Sequence, residues 1–323
     1  MTRDAAGGGE ASAPCVVALV GATATGKTEL GEALAGSLGA DIVCADSRQV
    51  FRELDVGTGK PDAATRALRP HHLFDWLGLG ETPSAGDWAR AASACLDEIH
   101  ARDGRALLVG GSGLYLRALM HGLPRHPPRD PAVRERLRHE LAERGAPALH
   151  ARLEEVDPAS ARRLAPADRQ RIVRALEVWE TSGRPWSEWR AAPAEGFRAT
   201  WRVIELTADT AELDRRIAAR ARHMFAHGLI EETAGLEEAG LGPALEALSA
   251  VGYDEALAVL AGRMPRDAAI ARTILRTRQL AKRQRTWFRH QVAATRLDSA
   301  RPPGALLAAA RAAAGHTPVT PPR

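Results

Sequence analysis

The fold of this 323-residue chain is decided by the stretch Gly21-Ala22-Thr23-Ala24-Thr25-Gly26-Lys27-Thr28. It fits the pattern G-x4-G-K-[ST], follows the apolar run Cys15 to Val20 and opens a helical pattern. A strand, a glycine-rich loop and a helix in this order are the context of a phosphate-binding loop. The glycines let backbone N–H groups and the positive helix N-terminus face an anion, while Lys27 supplies a point charge and Thr28 an oxygen ligand for Mg²⁺. We therefore predict that Gly21–Thr28 binds a diphosphate or a triphosphate.

Short apolar runs of β type alternate with helical patterns around this loop. The predicted strands are Val16–Val20, Asp41–Ala45, Ala106–Val109 and Arg202–Leu206, and the predicted helices are Lys27–Leu38, Ala85–Ala101 and Asp209–Ala221. Apolar strands that alternate with helices are typical of a parallel sheet covered on both faces. The sequence thus predicts an α/β protein whose core is a P-loop NTPase-like parallel sheet.

The middle of the chain interrupts this alternation. Between residues 124 and 200 we find only helical segments, which lie at Ala132–Glu143, Pro147–Glu154, Pro158–Leu164 and Arg169–Glu180. We interpret 124–200 as a helical insertion domain between two parts of a catalytic core, 15–123 and 201–300. The Gly-, Ala- and Ser-rich start, 1–14, and the Pro-rich end, 301–323, are expected to be disordered.

The composition excludes several classes of protein. With 45% hydrophobic and 26% charged residues, the chain can bury a core and is neither disordered nor collagen-like. Its longest apolar runs, such as Cys15 to Val20, are far below the roughly 18 residues that a transmembrane helix needs, and residues 1–14 do not have the basic and then apolar pattern of a leader. Three cysteines without close spacing fit a reducing compartment. We expect a cytoplasmic monomer without a membrane partner.

Basic residues are concentrated near the C-terminus. Between Arg263 and Arg301 they outnumber acidic residues by nine, although the net charge of the whole chain is only +4. Such a patch favours a polyanionic partner, first of all a nucleic acid, although a solvated arginine-rich helix face would also produce it. Only three of the 44 basic residues are lysines, Lys27, Lys60 and Lys282, which marks these as positions where a compact ammonium group is needed.

Asp46 follows the second predicted strand and would share the carboxyl edge of the sheet with the phosphate-binding loop. Its carboxylate could accept a proton from a nucleophile or bind Mg²⁺, although an Asp-Ser pair at a strand end is also a common helix N-cap. A kinase or ATPase would show an acidic residue after the third predicted strand, but Gly110-Gly111-Ser112 stands there instead. This favours a loop that holds a diphosphate as it leaves.

Eight segments of the chain together resemble one family, the bacterial tRNA dimethylallyltransferases, and occur in that family's order. These segments are Gly21–Thr28, Asp46–Phe51, Gly57–Pro61, His72–Asp75, Gly110–Tyr115, Arg169–Glu177, Arg220 to Leu229, and Thr277–Phe288. All three lysines lie inside them. The resemblance implies transfer of a dimethylallyl group from dimethylallyl diphosphate to N6 of the adenine just 3′ of the anticodon, in tRNAs that read codons beginning with U.

The resemblance also implies roles for individual residues. The loop Gly21–Thr28, with Lys27, Thr28 and Mg²⁺, would neutralise the charge that builds on the leaving diphosphate, and Arg220 would contact it. Thr28 is the expected protein ligand of Mg²⁺, with Asp46 as a second candidate. Asp46 would also be the general base that takes the N6 proton. Ser112 stands where the family usually has Thr, and its hydroxyl would orient the amine.

The family pattern assigns contacts with a tRNA anticodon stem-loop to several parts of the chain. The residues are Asp46, Ser47, Arg48, Gln49, Ser112, Arg134, Gln170, Arg171, Ile172, Val173, Arg174, Arg278, Gln279, Lys282, Arg283 and Gln284. In addition, one helical face would carry Arg278, Lys282, Arg285 and Arg289, which suits contact with phosphates. Asp254 stands where the family often has a basic residue, so we expect no RNA contact from it.

Three other interpretations remain open. An adenylate isopentenyltransferase acting on free AMP, ADP or ATP would share Gly21–Thr28 and Asp46 but would have little use for the insertion or the basic C-terminal segment. A P-loop small-molecule kinase would cleave ATP and transfer phosphate. A nonenzymatic RNA-binding protein would not need a complete phosphate-binding loop beside Asp46 and Ser112.

Overall fold

The computed structural model describes residues 13–124, 127 and 130–315. The chain forms two compact units. The core unit consists of the chain up to Met120 together with the chain from Phe197 onward, and the helical unit consists of His121–Gly196. The predicted insertion, 124–200, falls close to these limits. The predicted disordered start, 1–14, lies largely outside the described residues.

The core unit contains a parallel sheet. Its strands, in the described residues, are β1 (Cys15–Gly21), β2 (Ala40–Cys44), β3 (His71–His72), β4 (Arg105–Gly110), β5 (Thr200–Thr207) and β6 (Thr295–Asp298). They lie in the order β3-β2-β4-β1-β5-β6, and every neighbouring pair is parallel. The four predicted strands and the α/β class are confirmed. The sequence analysis missed β3 and β6, which are short edge strands without an apolar run.

Helices connect and cover the strands. In chain order they are α1 (Lys27–Leu38), α2 (Ala63–Ala67), α3 (Ala85–Ala101), α4 (Gly113–His121), α5 (Pro131–Val156), α6 (Pro158–Ala161), α7 (Arg169–Ser182), α8 (Trp186–Ala191), α9 (Thr210–Ala226), α10 (Leu229–Glu238), α11 (Gly242–Leu248), α12 (Tyr253–Leu260), α13 (Arg266–Gln291) and α14 (Pro303–Ala313). None of the helices in the described ranges has the length and apolar character needed to cross a membrane.

The sheet is buried on both faces because side chains alternate along each strand. On β1, Val16 and Ala18 join one apolar cluster with Trp88 of α3, whereas Val17 and Leu19 join the opposite cluster. That second cluster also contains apolar residues of α1 and α14. Because all neighbouring strands are parallel, their carboxyl ends lie at the same edge of the sheet, and the candidate site is described at that edge.

The end of the chain differs from the expectation. We expected 301–323 to be disordered, but Pro303–Ala313 forms α14 and packs against the sheet. Leu306, Ala310 and Ala314 are all buried. Their spacing of four residues gives the helix one apolar face, which the Pro-rich composition of the segment concealed. The remainder of this segment, from residue 316, lies outside the described residues.

The helical unit has its own apolar core. Its central side chains come from α5, α6 and α7, together with Leu164, and include Leu137, Leu149, Leu153, Ile172 and Leu176. Gly145, with a φ of +77°, breaks α5 into two helical halves, and Pro147 lies at the start of the second. This agrees with the two separate helices that the sequence predicts here. A core of this kind makes the unit a compact body rather than a long loop.

Candidate active site

The predicted phosphate-binding loop, Gly21–Thr28, forms the turn between β1 and α1. Gly21 has a φ of +148°, and a Cβ atom there would overlap the carbonyl oxygen of Leu206 on β5. Gly26 has a φ of +92° and is the N-cap of α1, a backbone conformation in which other residues are strained. The hydroxyl of Thr25 donates to the carbonyl of Ala22 at 2.8 Å. The loop is therefore shaped in advance, with the helix N-terminus beneath it to attract an anion.

Lys27 is the cation of this loop. Its Nζ donates to the carbonyl of Ala22 at 2.6 Å. Burial lowers the pKa of Lys27 to about 8; the nearby carboxylate of Asp46 acts in the opposite direction, and Arg220 lowers the pKa further. An ammonium group that burial destabilises gains from an anion placed beside it. The electrostatics of the loop thus favour a negatively charged ligand.

A cavity of about 990 Å³, here called the P-loop cavity, opens over the loop. Its polar wall includes Thr23–Thr28, Asp46 and Arg220, and its apolar wall includes Leu306 and Leu307 of α14. The cavity therefore offers cations and backbone amides at one wall and apolar surface at another. This combination suits a ligand with a charged end and an apolar end.

Asp46 lies just beyond the end of β2. Its Oδ1 accepts a hydrogen bond from the backbone N–H of Arg48 at 2.9 Å, which makes a short turn rather than the helix N-cap considered above. Arg48 donates from Nη2 to the carbonyl of Leu248 at 3.1 Å. Gln49 donates from Nε2 to the carbonyls of Thr58 and Gly59, at 3.2 and 3.1 Å. These bonds hold the carboxylate of Asp46 at the wall of the P-loop cavity.

Ser112 follows β4 and is bonded directly to the segment of Asp46. Its Oγ accepts from the backbone N–H of Ser47 at 2.8 Å, and its own N–H donates to the carbonyl of Ala45 at 3.1 Å. A Cβ atom at Gly110 would overlap that same carbonyl. Glycine at this position is therefore required for β2 and β4 to end side by side. The structure brings Asp46 and Ser112 together, as the sequence predicts.

Gln284 of α13 joins the phosphate-binding loop to the turn after β4. Its Oε1 accepts from the N–H of Thr23 at 2.9 Å, and its Nε2 donates to the carbonyl of Gly111 at 3.0 Å. A side chain at Gly111 would collide with this amide group. The sequence analysis assigned Gln284 to tRNA contact alone, and it gave no signal of this bridge, because Thr23 and Gln284 are 261 positions apart.

Arg220 of α9 reaches the same place from another side. Its Nη2 donates to the carbonyl of Thr58 at 2.8 Å, and a Cβ atom at Gly59 would press on the guanidinium group. Burial lowers the pKa of Arg220, while Asp46 and Glu29 act against this shift. The guanidinium group keeps its charge and faces the phosphate-binding loop across the P-loop cavity.

Lys60 holds the segment Phe51–Asp55 in place through its ammonium group. Its buried Nζ lies 2.6 Å from Asp75 and 2.7 Å from Asp55, and it donates to the carbonyl of Phe51 at 2.7 Å. Burial raises the pKa of Asp75, but the hydrogen bonds from Lys60 and Arg66 outweigh this and lower it overall. The sequence analysis singled out Lys60 as a rare lysine, and the structure gives it a structural task.

A second cavity, of about 610 Å³, lies beside the first and is here called the arginine cavity. Its wall carries Arg48, Arg220, Arg276 and Arg283 together with Ser112. Residues shared by the two cavities are Thr23, Asp46, Thr58, Arg220 and Gln284. A ligand in one cavity and a ligand in the other would therefore meet at Asp46.

Arg276 is a cation of this cavity that the sequence analysis missed. Its Nη1 lies 2.7 Å from both Asp254 and Glu255. Burial raises the pKa of Asp254, and Arg276 partly offsets this. The carboxylate of Asp254 is thus already engaged by Arg276. The sequence did contain a signal for Arg276, because the carboxylate of Asp254 needs a basic partner where it is partly buried.

The face of α13 predicted to contact phosphates, which carries Arg278, Lys282, Arg285 and Arg289, does not line the arginine cavity. Arg278 pairs with Asp214 at 3.2 Å and Arg285 donates to the hydroxyl of Thr210 at 2.9 Å, so both are tied to α9. Lys282 and Arg289 are exposed. The cavity is lined instead by the neighbouring face, with Arg276, Gln279, Leu280, Arg283 and Gln284. The i, i+4 spacing identifies a face of a helix but not what that face meets.

In the helical unit, the predicted RNA-binding residues fall into two groups. Gln170 and Arg171 are exposed. Ile172 and Val173 are 0% and 5% exposed, and their side chains belong to the core of the unit. RNA contact at these two positions stays a prediction, and only their backbone could make it. They occupy the apolar face of α7, on the side opposite to Gln170 and Arg171.

Arg134 and Arg174 share one buried carboxylate. Glu177 is fully buried, and its Oε2 lies 3.0 Å from Arg174 and 3.7 Å from Arg134. Arg174 also donates to the carbonyl of Pro127 at 3.4 Å. A buried carboxylate between two arginines keeps both guanidinium groups oriented.

Comparison with known proteins agrees with this geometry. A family model described as IPP transferase matches residues 49–291, and one described as isopentenyl transferase matches residues 14–70. A tRNA dimethylallyltransferase of Salinispora tropica is 45% identical over 296 residues and is covered, like this chain, to 92%. A tRNA dimethylallyltransferase of Geobacter sulfurreducens is 44% identical over 277 residues, which is 85% of this chain and 88% of that protein.

Solved structures give the same result. The full-length tRNA isopentenylpyrophosphate transferase from Bacillus halodurans superposes with a TM-score of 0.68 at 32% identity, covering 94% of this chain and 96% of that one. The tRNA delta(2)-isopentenylpyrophosphate transferase from Staphylococcus epidermidis gives 0.66 at 27% identity, with 92% and 97% covered. The fold is a P-loop-like α/β fold in which the carboxylate of Asp46 lines the same cavity as the loop Gly21–Thr28. The chain belongs to the IPP transferase family.

Proposed function

We propose that this protein transfers the dimethylallyl group of dimethylallyl diphosphate to N6 of the adenine just 3′ of the anticodon in tRNA. The observation that carries the proposal is the position of Asp46 on the wall shared by the two cavities. One cavity ends at a phosphate-binding loop, and the other is lined by arginines. A cytoplasmic monomer that binds the anticodon stem-loop is part of this proposal.

The P-loop cavity would hold the donor. Lys27, the amides of Gly21–Thr28 and Arg220 surround the place where a diphosphate fits, and they neutralise the charge that grows on it as the bond between C1 and oxygen breaks. The apolar allylic group would extend toward Asp46. Because these groups are held by hydrogen bonds in advance, little reorganisation is needed when the charge develops.

The residues fit Mg²⁺ only as a partner of the bound diphosphate. Among the described residues there is no cluster of three or more Asp, Glu, His or Cys side chains that could hold a metal ion. Mg²⁺ is commonly bound through one or two protein oxygens and the phosphates of the substrate. Thr28, with Asp46 as the second candidate, would hold it here; when bound, it supplies further charge neutralisation for the leaving diphosphate.

The arginine cavity would hold the acceptor adenine. Its N6 forms the bond to C1 of the donor, and Asp46 accepts the proton that N6 loses, so that diphosphate leaves and charge is balanced. Ser112, which lies beside Asp46, would orient the amine through its hydroxyl. The guanidinium groups of Arg48, Arg276 and Arg283 would contact the phosphates and base edges around the adenine.

The arginine cavity also separates this proposal from its alternatives. A free nucleotide needs one phosphate site, whereas three arginines, Arg48, Arg276 and Arg283, line the arginine cavity and not the P-loop cavity. Another face of α13 adds the exposed cations Lys282 and Arg289. That extended basic surface suits a polynucleotide. A kinase would not need it.

The test is to incubate the full-length protein with Mg²⁺ and radiolabelled dimethylallyl diphosphate, offering unmodified tRNA with adenine 3′ of its anticodon, free AMP, or no acceptor. We expect label in tRNA alone. Label in AMP alone would instead identify an adenylate isopentenyltransferase, and ATP turnover with a small-molecule acceptor would identify a kinase.

A substitution tests the role of Asp46. Asp46→Asn keeps the acceptor oxygen for the N–H of Arg48 but removes the base, so we expect transfer to fall by at least about 100-fold while tRNA binding stays within about twofold. The matched control is Asp97→Asn at an exposed position of α3, which should transfer at the wild-type rate. Full activity of Asp46→Asn would remove Asp46 from the proposed role.

A further inference from the structure

Leu114 is an apolar side chain in an unusual place. Four large apolar side chains are markedly exposed in the described part of the chain: Leu68, Leu114, Leu260 and Leu275. Of these, only Leu114, which is 54% exposed, lines either of the two cavities described above, and it lines the arginine cavity. A single exposed leucine on a protein surface needs no explanation. One at the wall of a cavity rich in arginine does, because polar or charged residues would be better solvated there.

The backbone around Leu114 is rigid. The carbonyl of Ser112 accepts from the N–H groups of Tyr115 and Leu116, at 3.0 and 3.2 Å, in the first turn of α4. Tyr115 and Leu116 are 7% and 1% exposed. On the other side, a Cβ atom at Gly113 would overlap the ring of Trp287. Leu114 therefore extends from a turn that is held by hydrogen bonds and by buried neighbours on both sides.

Its neighbours indicate the kind of partner it meets. The same cavity wall carries Ser112, which is bonded to the segment of Asp46, and the cations Arg48, Arg276 and Arg283. An apolar side chain with cations around it matches a single-stranded nucleic acid, which offers phosphates to the cations and base faces to the leucine. A lipid or an apolar protein surface would not match the arginines beside it.

We propose that Leu114 is a wedge that enters the base stack of the acceptor RNA at the position vacated by the target adenine. This proposal rests on the proposed function. Extrusion of a base costs the stacking free energy with its neighbours, and an apolar side chain that fills the gap lowers the free energy of the extruded state. Leu114 is thus a positioning residue that acts through the RNA, while Asp46 and Ser112 act on the adenine itself.

The position of Leu114 supports this division of tasks. It is two residues from Ser112 in sequence and lies on the wall of the same cavity as Asp46. A base drawn into this cavity leaves its own stack at the rim, so the gap and the leucine come close together. The wedge therefore keeps the adenine in the site for as long as Leu114 occupies the stack.

The experiment uses an RNA in which the target adenine is replaced by 2-aminopurine. This base carries its amino group on C2 rather than C6, so it reports unstacking by fluorescence without undergoing transfer. We expect wild-type protein to raise its fluorescence on binding and Leu114→Ala to raise it much less at saturating protein. Leu114→Met should behave like the wild type. Leu68→Ala, which removes an exposed leucine that lines neither cavity, is the matched control and should also match the wild type.

Turnover gives a second measurement. With unmodified tRNA, we expect Leu114→Ala to lower kcat/KM about tenfold, equivalent to roughly 1.4 kcal/mol. With an RNA that has an abasic nucleotide on each side of the adenine, the stack is already lost, so the deficit of Leu114→Ala should shrink to within about twofold. A purely structural role of Leu114 would reduce activity equally on both substrates.

The outcomes separate the two proposals. If wild-type protein transfers to neither RNA, the proposed function fails. If wild-type protein transfers to tRNA but Leu114→Ala shows the same fluorescence rise and the same kcat/KM, the wedge is overturned. An equal loss on stacked and unstacked RNA also overturns it.

Discussion

Replacing Gln284 with leucine tests whether the site depends on the bridge from α13. The substitution keeps the size of the side chain but leaves the N–H of Thr23 and the carbonyl of Gly111 without the partners that they have at 2.9 and 3.0 Å. A buried polar group left unpaired costs about 1–3 kcal/mol. Both groups lie close to cavity walls that water can reach, so the lower end of this range applies to each. Together they give a loss of about 2 kcal/mol in the free energy of unfolding.

The same change should weaken binding of the donor, dimethylallyl diphosphate. If about 1 kcal/mol of that loss falls on the phosphate-binding loop, affinity for the diphosphate drops roughly fivefold. We would measure the free energy of unfolding by urea titration and KM for dimethylallyl diphosphate at saturating tRNA. Gln291→Leu, at the exposed end of the same helix, is the matched control and should leave both quantities unchanged.

A second variant sharpens the test. Gln284→Glu keeps the acceptor for the N–H of Thr23 but adds a negative charge to the wall of the P-loop cavity, so it should raise KM for the donor more than Gln284→Leu does, with a smaller loss of stability. If Gln284→Leu unfolds at the wild-type urea concentration and keeps the wild-type KM, the bridge does not support the site and this argument is wrong.

Two further predictions follow from lysines. Burial places the pKa of Lys27 at about 8, so raising the pH through that value removes the charge of Lys27 from the free enzyme. KM for the donor should therefore stay flat below pH 8 and rise by up to about tenfold per pH unit above it. A Lys27→Met variant that shows the same rise would contradict this. Lys60→Met leaves Asp75 and Asp55 without their shared cation and should lower the free energy of unfolding by about 2–3 kcal/mol. This loss is smaller than for a fully buried pair because both carboxylates are partly exposed. Unfolding of the variant at the wild-type urea midpoint would refute the prediction.

The elements that could be predicted from the sequence are those whose signal is local. The four central strands are buried on both faces, so each is a short apolar run that stands out from its surroundings. The phosphate-binding loop needs glycines at fixed positions, and Gly21 and Gly26 have the backbone angles that this requires. Asp46 could be placed beside the phosphate-binding loop in advance because parallel strands end at one edge.

The elements that could not be predicted depend on distant partners. The strand β6 and the helix α14 have their places only because the sheet beside them is already formed. The two roles of α7 were merged, because the family motif covers Ile172 and Val173 as well as Gln170 and Arg171, and only the rotation of the helix separates the buried pair from the exposed one. Arg276 was missed because its importance comes from the carboxylate of Asp254 on another helix.

The bridge between Thr23 and Gln284 also has a consequence for biosynthesis. The phosphate motif leaves the ribosome well before its anchor on α13, which follows 261 positions later. A growing chain therefore carries a complete phosphate motif long before that motif is fastened in place. A fragment that ends before Arg266 would contain Gly21–Thr28, Asp46, Ser112 and Arg220 and still lack the helix that joins them. Translation that stops before α13 should thus yield no partly active transferase, and activity should appear only once α13 has been made.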